Sequence, residues 1–458
     1  MTNQTRRNLL KTGAAAAAFP AIVPSSVFGQ NAPSNRINIG AIGVGRISRV
    51  HDMKETFNYH DQARIIAVCD LDSHRVASGM EYVDKAYSEK TGKDYKGTKG
   101  YGDYHELLAR PDIDAVIIST PDHQHSITAV HAVRAKKDVY MQKPASLTIA
   151  DGRFLSDTVK ASGRILQVGS QQRSDNPWPQ FRRACELVRN GRIGKLQHVE
   201  VGLPGDPSGP EAPPMPIPSN LNYDAWLGST PEVYYTEIRV HPQDGSFSRP
   251  GWLRCEQFGA GMITGWGAHH VDTAHWGMDT EHTGPVEIWG DAEFPKSGLW
   301  NVHGKFLTHA RYANGVTMDI SGDFPNGIRF IGDKGWIFVS RGDAAVTPND
   351  PSWGTKSPGA LVASDQKILD SVIGPNEIHL YQSSEQHGNW LRSVRTRELN
   401  STPIELGHRA CSTCLLHQVA MHLKRKLHWD PVAERFKDDD EANTWLSRPH
   451  RKPYTFNA

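Results

Sequence analysis

Residues 267–277 read GAHHVDTAHWG, which puts His269, His270, Asp272 and His275 on one short stretch. At about 100° per residue on a helix, His269 and His275 lie about 60° to either side of Asp272, and His270 points further round. A histidine sharing a face with a carboxylate makes a general base with its orienting partner. The spacing does not suit a metal. Zinc helices offer histidines at i and i+4, whereas this stretch offers i, i+3 and i+6 with no clear further ligand. No metal is therefore expected. His269 is the candidate base and Asp272 its partner, while His270 and His275 are assigned to packing.

A second constellation lies near the start. The apolar run RINIGAI (36–42) ends in Gly43-Val44-Gly45-Arg46-Ile47-Ser48. Two glycines let the backbone turn tightly and approach a pyrophosphate, and the helix that follows presents free N–H groups and a positive dipole end. Gly43, Gly45, Arg46 and Ile47 are thus candidate cofactor contacts. Ser48 stands at the third position of the motif, where Gly or Ala is usual. Asp70 ends the next apolar run, RIIAVCD, where a carboxylate accepts from a ribose 2′-hydroxyl. That favours NAD, since a 2′-phosphate would be repelled; Arg75 keeps NADP open.

These residues need a scaffold. Apolar runs at 36–45, 64–70, 115–120, 138–141 and 165–168 alternate with helix-length segments, including 125–136 and 148–162. Strand and helix in alternation predict a doubly wound parallel sheet. Beyond about residue 170 a helix at 181–190 and a strand at 195–203 are followed by a Pro- and Gly-rich stretch, 204–220, expected to be an irregular arm. Segments 286–294, 306–312, 316–321 and 327–339 then alternate in polarity as antiparallel strands do. The fold class is α/β: an N-terminal Rossmann doubly wound sheet over 36–165, then an α+β domain over 166–458 with a large open, mostly antiparallel sheet.

Two further motifs lie at expected carboxyl ends of parallel strands, where ligands bind in such sheets. They are Ser119-Thr120-Pro121-Asp122-His123-Gln124-His125 and Met141-Gln142-Lys143-Pro144. With the glycine motif they resemble the T-P-x-x-x-H and E-K-P elements of the Gfo/Idh/MocA family, which includes glucose–fructose oxidoreductase and inositol dehydrogenase. The similarity extends over roughly residues 36–450 and is greatest to exported bacterial members with a twin-arginine leader. It implies that Lys143 is catalytic and that Thr120, Pro121, Gln142 and His125 lie along the nicotinamide end of the cofactor. It places His269 on the family's catalytic histidine, Asp272 on the acid three residues later, and Arg173 near the cofactor–substrate cleft, with a structural hold on Asp175 or a carbonyl as the equal alternative for Arg173. Tyr223 to Trp226, Arg239 and His241 would contribute to a sugar pocket. Two positions depart from the pattern: Gln142 stands for the family's Glu, and Gly265 for an Asp four residues before the histidine. Loss of the first charge should make Lys143 easier to deprotonate. A lysine beside a nicotinamide stabilises a developing alkoxide. The implied activity is hydride transfer between a tightly held NAD(P) and a hydroxyl of a sugar, sugar derivative or glycoside. Redox-neutral glycoside cleavage through a keto-sugar and a non-catalytic sugar- or nucleotide-binding role are the alternatives.

The bulk composition agrees. The 458 residues carry 38% hydrophobic and 22% charged side chains and a net charge of +1, which gives no reason to expect a nucleic-acid or membrane-surface partner. Five cysteines make no disulfide framework, and Cys411-Ser-Thr-Cys414 sits in a helical pattern as structural thiols. Twelve tryptophans suit core packing, with stacking on sugar rings the other use. Residues 1–29 combine Arg6-Arg7 with the weakly apolar run 12–23 and read as a twin-arginine signal, hence a periplasmic, exported protein. An open antiparallel sheet that covers its face with another copy predicts a homo-oligomer.

Overall fold

The computed structural model describes residues 36–342 and 358–457. The Arg6-Arg7 segment and the expected leader lie outside the described residues. Six strands form the first sheet: β1 (Ile37–Ile42), β2 (Ala63–Cys69), β3 (Lys99–Tyr101), β4 (Ala115–Ile118), β5 (Asp138–Met141) and β6 (Leu166–Val168), in the order β3-β2-β1-β4-β5-β6 and all parallel. Strands β4, β5 and β6 are buried along their whole length, as strands covered on both faces must be. The order reverses between β1 and β4, which opens the crevice that binds ligands in such sheets. Of these strands only the short, exposed β3 has no counterpart in the hydrophobic pattern.

The helices end where their caps dictate. Asp72 accepts from the His74 and Arg75 amides to start Ser73–Thr91, which Gly92 closes in the left-handed region. Thr148 caps Ile149–Ser162 in the same way, closed by Gly163. After the glycine motif the chain does not enter a regular α-helix. Ser48–Asp52 is a wide π-turn, followed by one α-turn, Met53–Thr56. Such wide turns cluster at functional sites because they re-aim side chains, and this one buries Asp52.

The second sheet is mixed. Its strands, among the described residues, are β7 (Leu196–Gly202), β8 (Glu287–Ala292), β9 (Phe306–Arg311), β10 (Thr317–Ser321), β11 (Gly327–Gly332), β12 (Trp336–Val339), β13 (Leu361–Ala363), β14 (Leu427–Asp430) and β15 (Arg435–Phe436). They run in the order β13-β12-β11-β7-β10-β9-β8-β14-β15, with only β7 and β10 parallel. The 327–339 segment is thus a hairpin of two strands. Helices Gly267–Met278 and Ile404–Leu423 bury most of their residues behind this sheet. All five cysteines are buried and unpaired.

The two units interlock more than a cut at 165/166 implies. Strand β6 begins at Leu166 yet completes the first sheet. The Gln386–Thr396 helix returns to place Trp390, Leu391 and Val394 in one cluster with β1, β2 and β5 residues, Trp390 lying against Tyr140 of β5. Linear reading could not assign that helix, because its apolar face is completed by residues such as Tyr140, 250 positions upstream. Residues 204–218 have no regular structure, as expected of the arm. The arm then closes over the crevice: the Asn220 carbonyl accepts from the Ser73 amide and the Leu71 carbonyl from the Asn222 amide. A local cluster of Leu221, Tyr223, Trp226, Leu227, Tyr235, Val240, Cys255 and Phe258 stiffens it. No described helix is long and apolar enough to cross a membrane.

Candidate active site

A cavity of about 1010 Å³ opens at the carboxyl edge of the first sheet and runs under the arm to the second domain. Gly43, Gly45, Arg46, Ile47, Asp70, Thr120, Pro121, His125, Gln142, Lys143 and His269 all line it. Arg173 and Asp272 do not. At one end Gly43 has φ of +80°, and a Cβ there would stand 2.8 Å from the Ser119 carbonyl oxygen, so only glycine fits the turn. The Asp70 carboxylate is anchored by the Val44 amide at 3.0 Å and the Asp72 amide at 3.1 Å. An anchored carboxylate past a glycine-only turn is the donor and acceptor set a dinucleotide needs, so these residues fit NAD.

The strand-end motifs are tied together beneath the cavity. His125 places Nδ1 2.8 Å from the Pro144 carbonyl and Nε2 2.9 Å from that of Thr120. Burial lowers its pKa to about 4, against the pull of the two carbonyls, so the ring is neutral, sits between the two motifs and donates its one N–H to one of these carbonyls. Asp52, delivered by the π-turn, accepts from Gln142 Nε2 at 2.8 Å and from Ser119 Oγ at 2.6 Å. His51 Nδ1 lies 3.0 Å from the same carboxylate and His387 Nε2 3.5 Å. His387 Nδ1 in turn meets Glu385 at 2.9 Å, and Glu385 accepts from the Tyr59 hydroxyl at 2.7 Å. Burial alone would lower the His387 pKa, but Asp52 and Glu385 raise it to about 9. The ligand-type atoms of His51, Asp52 and His387 are close enough to one another to share a cation; here a protonated His387 between two carboxylates already plays that part. The negative charge absent at Gln142 therefore stands one hydrogen bond deeper, on Asp52.

Lys143 is partly buried at the head of the cavity, and its Nζ donates to the Gly265 carbonyl at 2.9 Å. The second departure is thereby answered in part: at the place of the expected carboxylate a main-chain oxygen holds the ammonium. The lysine pKa falls to about 8, chiefly through burial, with Asp122 opposing the fall and Arg249 and Arg341 adding to it. Asp122 is itself raised to about 7 by burial, against the pull of Lys143. His269 is 5% exposed, and burial first, then the charges of Arg341 and Lys143, push its pKa well below the usual imidazole range. It is a neutral ring facing a cationic group.

The expected His269–Asp272 dyad does not form. Asp272 is taken by Arg173, whose Nε and Nη2 bind it at 2.7 and 2.8 Å, and by Ser170 Oγ at 2.6 Å. Arg173 also binds Glu281 at 2.7 Å. A bidentate guanidinium outcompetes an imidazole for a buried carboxylate, and the 171–173 turn brings it to that helix face. His269 Nδ1 has no hydrogen-bond partner among the described residues. Arg173 and Asp272 thus form a buried ion pair away from the cavity lining, so the expected placement of Arg173 at the cofactor and of Asp272 behind His269 is not what the geometry shows. His270 Nε2 meets Asn326 and His275 Nε2 meets Tyr312, both at 2.8 Å, in the structural roles expected. From the arm, Trp226 and His241 line the cavity, whereas Arg239 turns to the Tyr234 carbonyl. Asp52, Asp122 and Arg341 escaped sequence reasoning. Asp122 lies inside a motif already singled out; Asp52 and Arg341 carry no local signal.

Comparison with known proteins fits this geometry. The profile of an oxidoreductase family with an NAD-binding Rossmann fold, Gfo/Idh/MocA, matches residues 37–170, and that of the family's C-terminal α/β domain matches 208–341 and 375–456. The chain belongs to the Gfo/Idh/MocA oxidoreductase family. Its first sheet is the family's NAD-binding unit. The chain is 33% identical over 174 residues to myo-inositol 2-dehydrogenase of Thermotoga maritima, covering 38% of this chain and 47% of that protein. It is 29% identical over 196 residues to glycosyl hydrolase family 109 protein 1 of a Shewanella species, covering 42% and 40%. It thus spans about half the length, or less, of the curated relatives it matches. Among solved structures, the aldose–aldose oxidoreductase of Caulobacter crescentus, complexed with glycerol, shares the fold with a TM-score of 0.57 at 18% identity, over 86% of this chain and 99% of that one.

Proposed function

We propose that this protein transfers hydride between NAD and a hydroxyl carbon of a carbohydrate. The observation that carries this reading is that Lys143 and His269 line one cavity with the glycine turn and Asp70. Bound there, NAD supplies the hydride acceptor. A substrate hydroxyl enters between the two side chains. Neutral His269 takes its proton, and the Lys143 ammonium, held by the Gly265 carbonyl, stabilises the oxygen as negative charge develops. The arm and Trp226 exclude water from above. To test this, the purified protein is stripped of nucleotide, reloaded with NAD and screened against sugars for a change in nicotinamide absorbance. Lys143→Ala should abolish turnover while NAD still binds; retained turnover would sink the assignment.

A second reading, redox-neutral cleavage of a glycoside, draws on the likeness to the Shewanella glycosyl hydrolase family protein and on Asp122. A carboxyl group raised to about 7 beside Lys143 is placed to protonate a leaving group. Product release without net NADH would favour it. The Arg6-Arg7 segment supports export through the twin-arginine pathway with cofactor already bound; Arg6→Lys with Arg7→Lys should then trap the protein in the cytoplasm. We propose too that the half-exposed face of the second sheet, where Trp289 stacks on His309, pairs with another copy, to be read from the mass in solution.

A further inference from the structure

Arg341 follows β12 and lines the cavity beside His269 and Lys143. It is 8% exposed. Its guanidinium carbon lies 4.0 Å from the ring centroid of Trp178 and 4.8 Å from that of Trp266, so two aromatic rings fix its plane. With the Gln172 amide turned to satisfy its neighbours, Nε donates to the Gln172 oxygen at 3.1 Å. Nη2, buried, has no hydrogen-bond partner among the described residues. Arg173, also buried, is by contrast held by two carboxylates, Asp272 and Glu281.

A buried guanidinium with no carboxylate among the described residues around it is unfavourable, and burial lowers its pKa to about 9. The unfavourable term disappears if an anion enters on the unpartnered edge. Lys143, which lines the same cavity, adds a second positive charge near His269, and the lining carboxylates Asp70 and Asp103 belong to the first domain. The cofactor pyrophosphate does not answer the need. Its place is the glycine turn of the first sheet, whereas Trp178, Trp266, Gln172 and His269 put Arg341 on the second-domain side of the cavity, where the reacting sugar goes.

We propose that Arg341 is a carboxylate-binding subsite and that the substrates are sugar acids, uronates or aldonates, rather than neutral sugars. The guanidinium fork matches a planar carboxylate better than a hydroxyl, and the two tryptophans flank it with apolar rings for the sugar face. The turnover consequence rests on the hydride-transfer reading above; the binding consequence does not.

The test uses the full NAD-loaded protein with sodium D-glucuronate, D-galacturonate and D-gluconate, the methyl esters of the two uronates, the parent neutral sugars, and glucose 6-phosphate. Binding is read by calorimetry and by tryptophan fluorescence, and turnover by absorbance at 340 nm. At least one acid should bind about 30-fold or more tighter than its uncharged counterpart. Arg341→Gln should cut that preference to about threefold or less, with Arg341→Lys between. Equal binding of acid and neutral sugar by the unaltered protein, or failure of every acid to bind, overturns the proposal without recourse to a variant. So does a preference that survives in Arg341→Gln, or a phosphate bound more tightly than the carboxylates. Arg341-dependent binding of an acid without any NADH would leave the subsite standing and remove the hydride-transfer reading.

Discussion

The charge on Asp122 should set the alkaline limit of turnover. His269 is already neutral at pH 7, so the proton acceptor is present through the neutral range. Lys143 acts as an ammonium and loses its proton near pH 8. In the direction of sugar oxidation, kcat/KM should therefore be level around neutrality and fall tenfold per pH unit above about 8. Asp122 holds that limit up. Burial lowers the lysine pKa, and the Asp122 carboxylate, ionised above about pH 7, is the largest opposing influence. An opposite charge close by is worth about 1–3 pKa units. Asp122→Asn removes it and should bring the alkaline limb down by about one unit, or ~1.4 kcal/mol of differential stabilisation of the ammonium. The measurement is kcat/KM between pH 5.5 and 10 at saturating NAD, followed at 340 nm, for both proteins. A rate that rises through pH 8 would make neutral Lys143 the base and refute the assignment of roles. A limb at the same pH in Asp122→Asn would refute the coupling.

Three other substitutions probe the same architecture. A Cβ at Gly265 meets nothing closer than 3.6 Å and its φ is not in the left-handed region, so Gly265→Asp should fold and, by restoring a carboxylate near Lys143, move the alkaline limb upward by about one unit. His387 contributes about 3 kcal/mol of stability below pH 6.5, because its folded pKa of about 9 exceeds its unfolded value, and this is lost as pH rises through 9; the urea-unfolding gap between the unaltered protein and His387→Gln should accordingly close by about that amount between pH 6 and 10. Asp272→Asn breaks the clamp with Arg173 and should cost about 3–5 kcal/mol of unfolding free energy while leaving NAD affinity within about twofold, since neither residue reaches the cavity.

The cofactor half of the site was legible in the sequence because its signals are local. A glycine turn, a strand-ending acid and two strand-end motifs each lie within a few residues, and the parallel-sheet rule brings their carboxyl ends together without further information. The other half was not. Helical periodicity placed His269 and Asp272 on one face, but periodicity cannot say what waits opposite that face. The 171–173 turn put an arginine there, and Asp272 went to it. Arg341 lies after the second strand of a hairpin read as one segment, and its meaning rests on Trp178, Trp266 and His269, 72 to 163 positions upstream. Asp52 was hidden for a different reason. A regular helix after the glycine motif would have pointed it elsewhere; the π-turn, which propensity does not announce, aims it under Gln142.

The two departures from the family pattern become intelligible as one redistribution of charge. A glutamate at 142 and an aspartate at 265 would both stand against Lys143 and hold its pKa high. In this chain the first charge has moved to Asp52, one hydrogen bond back, where His387 neutralises it. The second is replaced by a carbonyl, which accepts a hydrogen bond but brings no formal charge. Lys143 is left with Asp122 as its main support and with two arginines opposing. A site stripped of fixed negative charge at its reacting end, with an unpaired guanidinium added, is poorly suited to a neutral polyol and well suited to a substrate that brings its own anion. The loss of carboxylates and the orphaned Arg341 then have one cause, and restoring a carboxylate by Gly265→Asp should weaken the binding of sugar acids relative to neutral sugars. An unchanged ratio of the two affinities in that variant would separate the departures from the subsite and leave the former without an explanation.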